Sequence, residues 1–206
     1  MLALLALLST ASALPAVATP TDTTTPTTWA IDKTHSELTF RVRHLVSRVR
    51  GTFTDWDGTL TAEPNQWNGG SVVVNVRTAS IQTNNDRRDT HLRSGDFFDV
   101  EKFPAMTFRS TKVEVTGNEV TLTGELTIKD VTKTVVLKGD FLGMTAGQGG
   151  RDRIGFEVST TVNRLDYGLT WNRAAEGGGV VLGDEVAIDV VIAAVKVVPG
   201  APTGPR

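Results

Sequence analysis

With 206 residues, a formal net charge of −2 and no cysteine, the chain has room for one ordinary domain or two small ones. The near balance of charge argues against a nucleic-acid partner, which leaves a basic surplus. The missing cysteine excludes disulfides, thiolate metal sites, Cys nucleophiles and an acylated lipoprotein anchor.

In chain order, residues 1–13 read MLALLALLSTASA, a short apolar run ending in Ala11-Ser12-Ala13. This has the form of the h-region and cleavage site of a secretory signal peptide, although no Lys or Arg precedes Lys33 to make a basic n-region. A permanent membrane span needs about 20 apolar residues, so no lasting anchor is expected. The mature chain is expected to begin near Leu14 and to be secreted or held in the cell envelope or periplasm. Residues 14–28 carry Pro15, Pro20 and Pro26 among threonines, with Asp22 as the single charge. Such a segment cannot offset its ordering entropy and reads as a Thr/Pro-rich linker. Residues 199–206 read as a disordered tail, which leaves 29–198 as one domain.

That domain is written in period two. Leu122, Gly124, Leu126 and Ile128 alternate with Thr121, Thr123, Glu125 and Thr127, and Ile154, Phe156 and Val158 alternate with Arg153, Glu157 and Ser159. Alternation marks strands with one face buried and one in water. It predicts eight strands, at about Ser36–Val46, Arg48–Thr61, Ser71–Ser80, Ala105–Thr116, Glu119–Lys129, Thr132–Leu142, Arg153–Asn163 and Gly183–Val198. Gly117-Asn118 sits at hairpin distance between two of them. Eight long antiparallel strands favour an all-β up-and-down barrel, which abolishes sheet edges and encloses either packed side chains or one small ligand. A two-sheet sandwich is the structural alternative.

One connection is unlike a plain turn. Asp86 to Asp99 holds Asp86, Arg87, Arg88, Asp89, Arg93, Asp96 and Asp99, with His91 among them, and runs into Phe97-Phe98. Thr83 followed by Asp86 is a capping-box-like start and Gly95 a plausible stop, so a short helical loop over one end of the barrel is expected.

Trp29-x-Ile31-Asp32-x-x-His35-Ser36, then Phe40-x-Val42-x-His44, resembles the opening of the YceI-like family of exported bacterial proteins. Arg88-Asp89-x-His91-Leu92-Arg93-Ser94-x-Asp96-Phe97-Phe98-Asp99-Val100, followed by Phe103-Pro104, resembles its central signature. Thr123-Gly124-x-Leu126-Thr127-Ile128 and Arg164-x-Asp166-Tyr167-Gly168 fit its later segments, with a departure at Asp130, where a glycine usually follows. The resemblance implies a lipocalin-like barrel that binds long apolar molecules, polyisoprenoids and related amphiphiles, in a central cavity.

The residues themselves suggest where such a ligand would lie. Phe40, Val42 and His44 share one strand face, with His44 either a core histidine satisfied by a neighbouring hydroxyl or carbonyl or a ligand contact; Leu122, Leu126 and Ile128 share another, and Phe156 faces inward on its own strand. Leu92, Phe97 and Phe98 offer apolar area, while Arg88, His91 and Arg93 either supply polar groups at the rim for an anionic or polar head or form a solvated helix face with local ion pairs, Arg88 then holding the loop through a carboxylate. Phe97 and Phe98 serve equally well as a plug. Trp171 follows the Arg164 motif and is expected at a second approach to the cavity, Trp67 is expected in an exposed loop, and Gly124 and Gly139 either free interior volume or mark bends. His35 and His44 have opposite parity, which argues against a three-histidine metal site; no metal or cofactor is expected. The expected partner is a polyisoprenoid, isoprenoid quinone or fatty-acid derivative, and a homodimer is compatible with the chain. The alternatives are an exported hydrolase or isomerase using His35, His91 or Asp166, and a structural or adhesion module whose barrel is filled.

Overall fold

The computed structural model describes residues 26–63, 66–176 and 178–198. The expected signal peptide, nearly all of the linker and the tail lie outside the described residues. Eleven strands form: β1 (Thr27–Ile31), β2 (Glu37–His44), β3 (Ser47–Phe53), β4 (Trp56–Glu63), β5 (Gln66–Arg77), β6 (Ile81–Gln82), β7 (Ala105–Thr116), β8 (Glu119–Ile128), β9 (Val131–Thr145), β10 (Arg153–Asn163) and β11 (Leu182–Lys196). Among the described residues one α-helix, α1 (Asp86–Arg93), lies between β6 and β7.

Strands β1, β4, β5, β7, β8, β9, β10 and β11 close into an antiparallel ring, because β1 pairs with both β4 and β11. β2 and β3 prolong β1 and β4 toward one end: β2 pairs with β11 and β3 with β2. Counted as continuous staves, the barrel has the eight expected strands, two of them interrupted. The first interruption is a turn whose Asp32 carboxylate accepts from the Thr34 backbone N–H at 3.1 Å and its hydroxyl at 2.6 Å, the Asx geometry that ends an extended run.

Four expectations change. A first strand at Ser36–Val46 omits β1, and Thr27 and Thr28 belong to that strand and not to the linker. Arg48–Thr61 is divided into β3 and β4 at Thr54-Asp55. β5 starts at Gln66, ahead of the expected Ser71, which takes Trp67 out of an exposed loop and into a strand where it is buried. Trp67 packs with Trp29, Phe141 and Phe156 at ring-centroid distances of 5.7, 5.4 and 5.8 Å. Finally, Asn85 caps α1, accepting from the Arg88 N–H at 3.0 Å, while Thr83 bonds Asp89 instead.

The core falls into two clusters at opposite ends of the barrel. One joins Trp29, Trp67, Leu122, Leu137 and Phe156. The other joins Phe53, Trp56, Ile81, Phe97, Tyr167 and Leu169 below α1. The two-residue hairpins Gly117-Asn118 and Lys129-Asp130 stand at opposite ends, each with one residue at positive φ, Gly117 at +61° and Lys129 at +58°; the departure at Asp130 therefore falls within a tight turn. The Gly124 position gives its space to the Phe108 ring, since a Cβ there would come within 2.4 Å of it. Gly139 meets the Glu157 carbonyl at 1.9 Å from such a Cβ, a close approach of two backbones.

Between β5 and β7 the backbone ladder stops short of the strand ends. Backbone pairing covers Val73–Arg77 against Ala105–Arg109 only. Beyond it side chains take over: Asn68 donates to the Val115 carbonyl at 3.2 Å and accepts from its N–H at 2.6 Å, and the Ser110 hydroxyl accepts from Val72 N–H at 2.8 Å.

Candidate functional site

Inward-facing side chains do not fill the barrel. They surround a cavity of about 660 Å³, within the range of roughly 300–1,000 Å³ in which small molecules are held. Phe40, Val42 and His44 line it from β2, Leu122, Leu126 and Ile128 from β8, and Phe156 from β10. The shared strand faces read from the alternation thus do meet in one space, and the filled-barrel alternative does not describe this interior. Phe40, Val42 and Leu126 remain only half-buried because they look onto that space.

Polar groups are unevenly spread. His44, Asn85, Arg87, Arg88, His91, Arg164 and Tyr167 all line the cavity at the α1 end, whereas Thr59, Ser71, Thr107 and Thr160 contribute only hydroxyls along the wall. Lining residues that are also exposed occur at Asn85 and Arg87 and at Thr59 and Ser71, so the space reaches solvent beside α1 and beside the β4–β5 wall.

α1 is anchored by its charges. The buried Asp89 carboxylate accepts from the Thr83 N–H at 2.9 and 3.1 Å and from the Thr83 hydroxyl. That hydroxyl accepts in turn from Arg88 Nε at 2.7 Å, while Arg88 Nη2 donates to the Thr83 carbonyl at 2.8 Å. Arg88 therefore lines the cavity with its guanidinium already engaged. Arg93 departs from expectation: it is not among the lining residues, and donates to the carbonyls of Ala79 at 2.8 Å and Ile81 at 2.7 Å. Its charge fastens the helix to β6. Arg87, absent from the expected ligand contacts, lines the cavity with no hydrogen bond or ion pair among the described residues.

Leu92 of α1 and, just beyond the helix, Phe97 and Phe98 close this end, with Phe98 edge-on to Phe53 at 5.8 Å. Phe97 is buried in the core and also lines the cavity, so plug and contact surface coincide in it. Trp171 lines the cavity 5.3 Å from Phe97. The loop that carries it hangs on Arg164, whose buried guanidinium donates to Gly183 O at 2.9 Å, to Leu169 O, to Trp171 O at 2.9 Å and to Asp184 Oδ1 at 3.1 Å. Burial lowers the Arg164 pKa and Asp184 opposes that shift. Burial, with Asp166 beside it, raises the Tyr167 phenol above its usual range, and its hydroxyl has no hydrogen-bond partner among the described residues.

The residues of the hydrolase alternative are not brought together. His35 is exposed in the turn before β2, 3.0 Å from Asp32, and does not line the cavity. The Ser36 hydroxyl is engaged with the Ala193 backbone, donating at 3.1 Å and accepting at 2.9 Å. Asp166 is exposed, and His91 pairs with Asp96 at 2.8 Å. Among the described residues no group of three or more His, Asp or Glu side chains could hold a metal ion, and no helix is long and apolar enough to cross a membrane.

Comparison with known proteins gives a consistent picture. The YceI-like domain family matches residues 29–194. A UPF0312 protein of Pseudomonas paraeruginosa is 41% identical over 144 residues, 68% of this chain and 75% of the relative. Protein YceI of Salmonella arizonae is 40% identical over 145 residues, 69% and 76% of the two chains. Among solved structures, the Campylobacter jejuni YceI protein superposes with a TM-score of 0.67 at 30% identity, covering 76% of this chain and 90% of that one. A polyisoprenoid binding domain from Saccharophagus degradans shares the fold at a TM-score of 0.64 and 16% identity, over 82% of this chain and 98% of that domain.

Proposed function

Since this chain belongs to the YceI-like family, we propose that it is an exported binding protein, not an enzyme, that holds a long apolar amphiphile in its barrel for carriage or sequestration. The observation that carries this reading is the polarity of the cavity: apolar walls along the barrel, with Asn85, Arg87, Arg88, His91 and Tyr167 gathered at the α1 end. A tail would lie against Phe40, Leu126 and Phe156, and a polar or anionic head would sit beside α1. Tail burial contributes about 0.8 kcal/mol per CH₂ before binding costs, so selectivity among tails is broad and the head is where discrimination resides. The Saccharophagus degradans domain of the same fold is a polyisoprenoid binding domain, which favours a polyisoprenoid lipid or isoprenoid quinone over other amphiphiles. Export rests on the apolar run before Ala13.

Native mass spectrometry of freshly purified protein, followed by organic extraction and identification of the released species, tests the assignment. A co-purifying prenyl lipid or quinone is expected. Protein that carries no apolar molecule and takes up neither prenyl lipids nor fatty-acid derivatives would overturn it.

A further inference from the structure

The β2–β3 hairpin breaks three local rules at once. Arg41 stands directly opposite Arg50, and Arg43 opposite Arg48; like charges so placed destabilise an antiparallel pair. All four point outward, because Phe40, Val42, His44 and Val49 of the same strands face the cavity. The tip is Leu45-Val46, where two-residue turns favour Asn and Gly. Leu45 takes φ +53°, a left-handed conformation uncommon for a bulky side chain. Both tip side chains face water, Leu45 at 44% and Val46 at 104% relative exposure. Leu45 N–H donates to the Val181 carbonyl at 2.8 Å, which brings the exposed Val180 alongside.

Charge is concentrated here in a chain whose net charge is −2: residues 41–50 hold four arginines and no acid. Arg41 is paired with Asp189 at 2.9 Å. Arg43 donates to Leu45 O at 3.3 Å, and neither it nor Arg48 or Arg50 forms an ion pair among the described residues. Guarding a free strand edge with charge is a common device, and β3 is unpaired on one side over residues 47–51. It does not account for arginines on β2, which is paired on both sides, nor for an apolar tip.

We propose that this hairpin docks the barrel on an anionic bilayer surface, with Leu45 and Val46 entering the headgroup region and Arg43, Arg48 and Arg50 meeting lipid phosphates. An apolar tip ringed by cations is the pattern that binds at such an interface. Two aliphatic side chains offer little of the roughly 800 Å² per partner that a stable protein interface buries. His44, next to the tip, lines the cavity, so docking would set the head end of the barrel against the membrane. That last consequence rests on the lipid-binding reading; the docking does not.

The test uses the full chain with phosphatidylcholine vesicles, with and without phosphatidylglycerol. Co-sedimentation with the anionic vesicles is expected, falling about tenfold or more in R48Q/R50Q and in high salt. The apolar run at residues 1–13 acts alike on every variant, so the comparison is between variants and lipid compositions. R48Q/R50Q relieves like-charge repulsion and is expected to unfold at the same or a higher temperature, which separates lost docking from lost folding. The chain has no cysteine, so Val46→Cys and, at the opposite end, Asn118→Cys each accept one environment-sensitive fluorophore. A blue shift at position 46 and none at 118 is expected on anionic vesicles. Equal vesicle binding by wild type and R48Q/R50Q, or unchanged emission at position 46 in bound protein, would overturn the proposal. So would binding to soluble polyglutamate but not to vesicles, which would mark a face for an acidic protein. Cargo is assayed separately by native mass spectrometry without vesicles, so failure of docking and failure of the lipid-binding reading remain distinct.

Discussion

The imidazole of His91 stands edge-on to the indole of Trp171, ring centroids 4.9 Å apart and planes at 90°. Phe97 completes the group, 5.1 Å from His91 and 5.3 Å from Trp171. His91 belongs to α1 and Trp171 to the loop between β10 and β11. Two chain segments far apart in sequence thus cover the polar end of the cavity as one unit.

Trp171→Ala should loosen that unit. Release of a bound prenyl lipid is expected to accelerate, with a stability loss of up to about 3 kcal/mol, and Trp171→Phe should restore most of both. Stopped-flow transfer to acceptor vesicles and thermal unfolding measure the pair of effects. Unchanged release with lowered stability would show that the ring cluster serves folding alone.

Leu126→Trp places a larger side chain against the cavity. Capacity for long-tailed ligands should fall, and overpacking should cost about 1–3 kcal/mol. Titration with prenyl alcohols of increasing length, on protein shown to be folded, is the measurement. Short tails are expected to survive the change better than long ones.

The arginines on α1 should separate by role. Arg87→Gln is expected to weaken ligands with anionic heads more than neutral ones of equal tail, with a difference that shrinks in high salt. Arg93→Ala should weaken both alike, because it strips partners from the Ala79 and Ile81 carbonyls at a stability cost of about 1–3 kcal/mol.

Tyr167→Phe removes a buried hydroxyl that has no partner among the described residues. Unfolding stability is expected to stay level or rise by up to about 1 kcal/mol, since an unmade buried hydrogen bond is itself a cost. A marked loss, read by denaturant titration, would mean that the hydroxyl is satisfied in solution.

The Asp32 carboxyl is held below the usual carboxylate range, first by the Thr34 hydroxyl and also by His35, against the opposing effect of burial. Its folded pKa is depressed, so its contribution is present above the unfolded value of about 4 and is lost as pH falls through the folded one. Asp32→Asn should lower stability at neutral pH and flatten the acid limb of the unfolding curve. Parallel acid limbs for the two proteins would remove Asp32 from that transition.

Periodicity makes most of the barrel readable. β7 and β10 match their alternation-based bounds, and β8 and β9 do so to within a few residues, because one face of each meets the interior and the other meets water. β1 escapes this test because Thr27-Thr28 continues the threonine-rich composition of the linker, and it is pairing with β4 and β11, both remote in sequence, that closes the ring. Trp67 is hard to place because it stands between Gln66 and Asn68, ahead of Gly69-Gly70, in a stretch with no apolar alternation. Its partners Trp29, Phe141 and Phe156 are remote in sequence. For Arg93, charge is a poor guide and helical spacing a better one. Arg88, His91 and Leu92 lie at i, i+3 and i+4 and share the cavity face, Arg87 falls four residues before His91, and Arg93 turns away.

Asn68 joins two staves of the barrel through a side chain, as Ser110 does on the same seam and Ser36 does against Ala193. Most of the wall is joined by main-chain groups, and substitution leaves those links in place. At the β5–β7 seam a side-chain amide stands in for the missing strand contact, both donating to and accepting from Val115. That link is encoded by one codon. A change at Asn68 alone would therefore alter how β5 and β7 are held at this end, while the main-chain ladder at Val73–Arg77 stays in place.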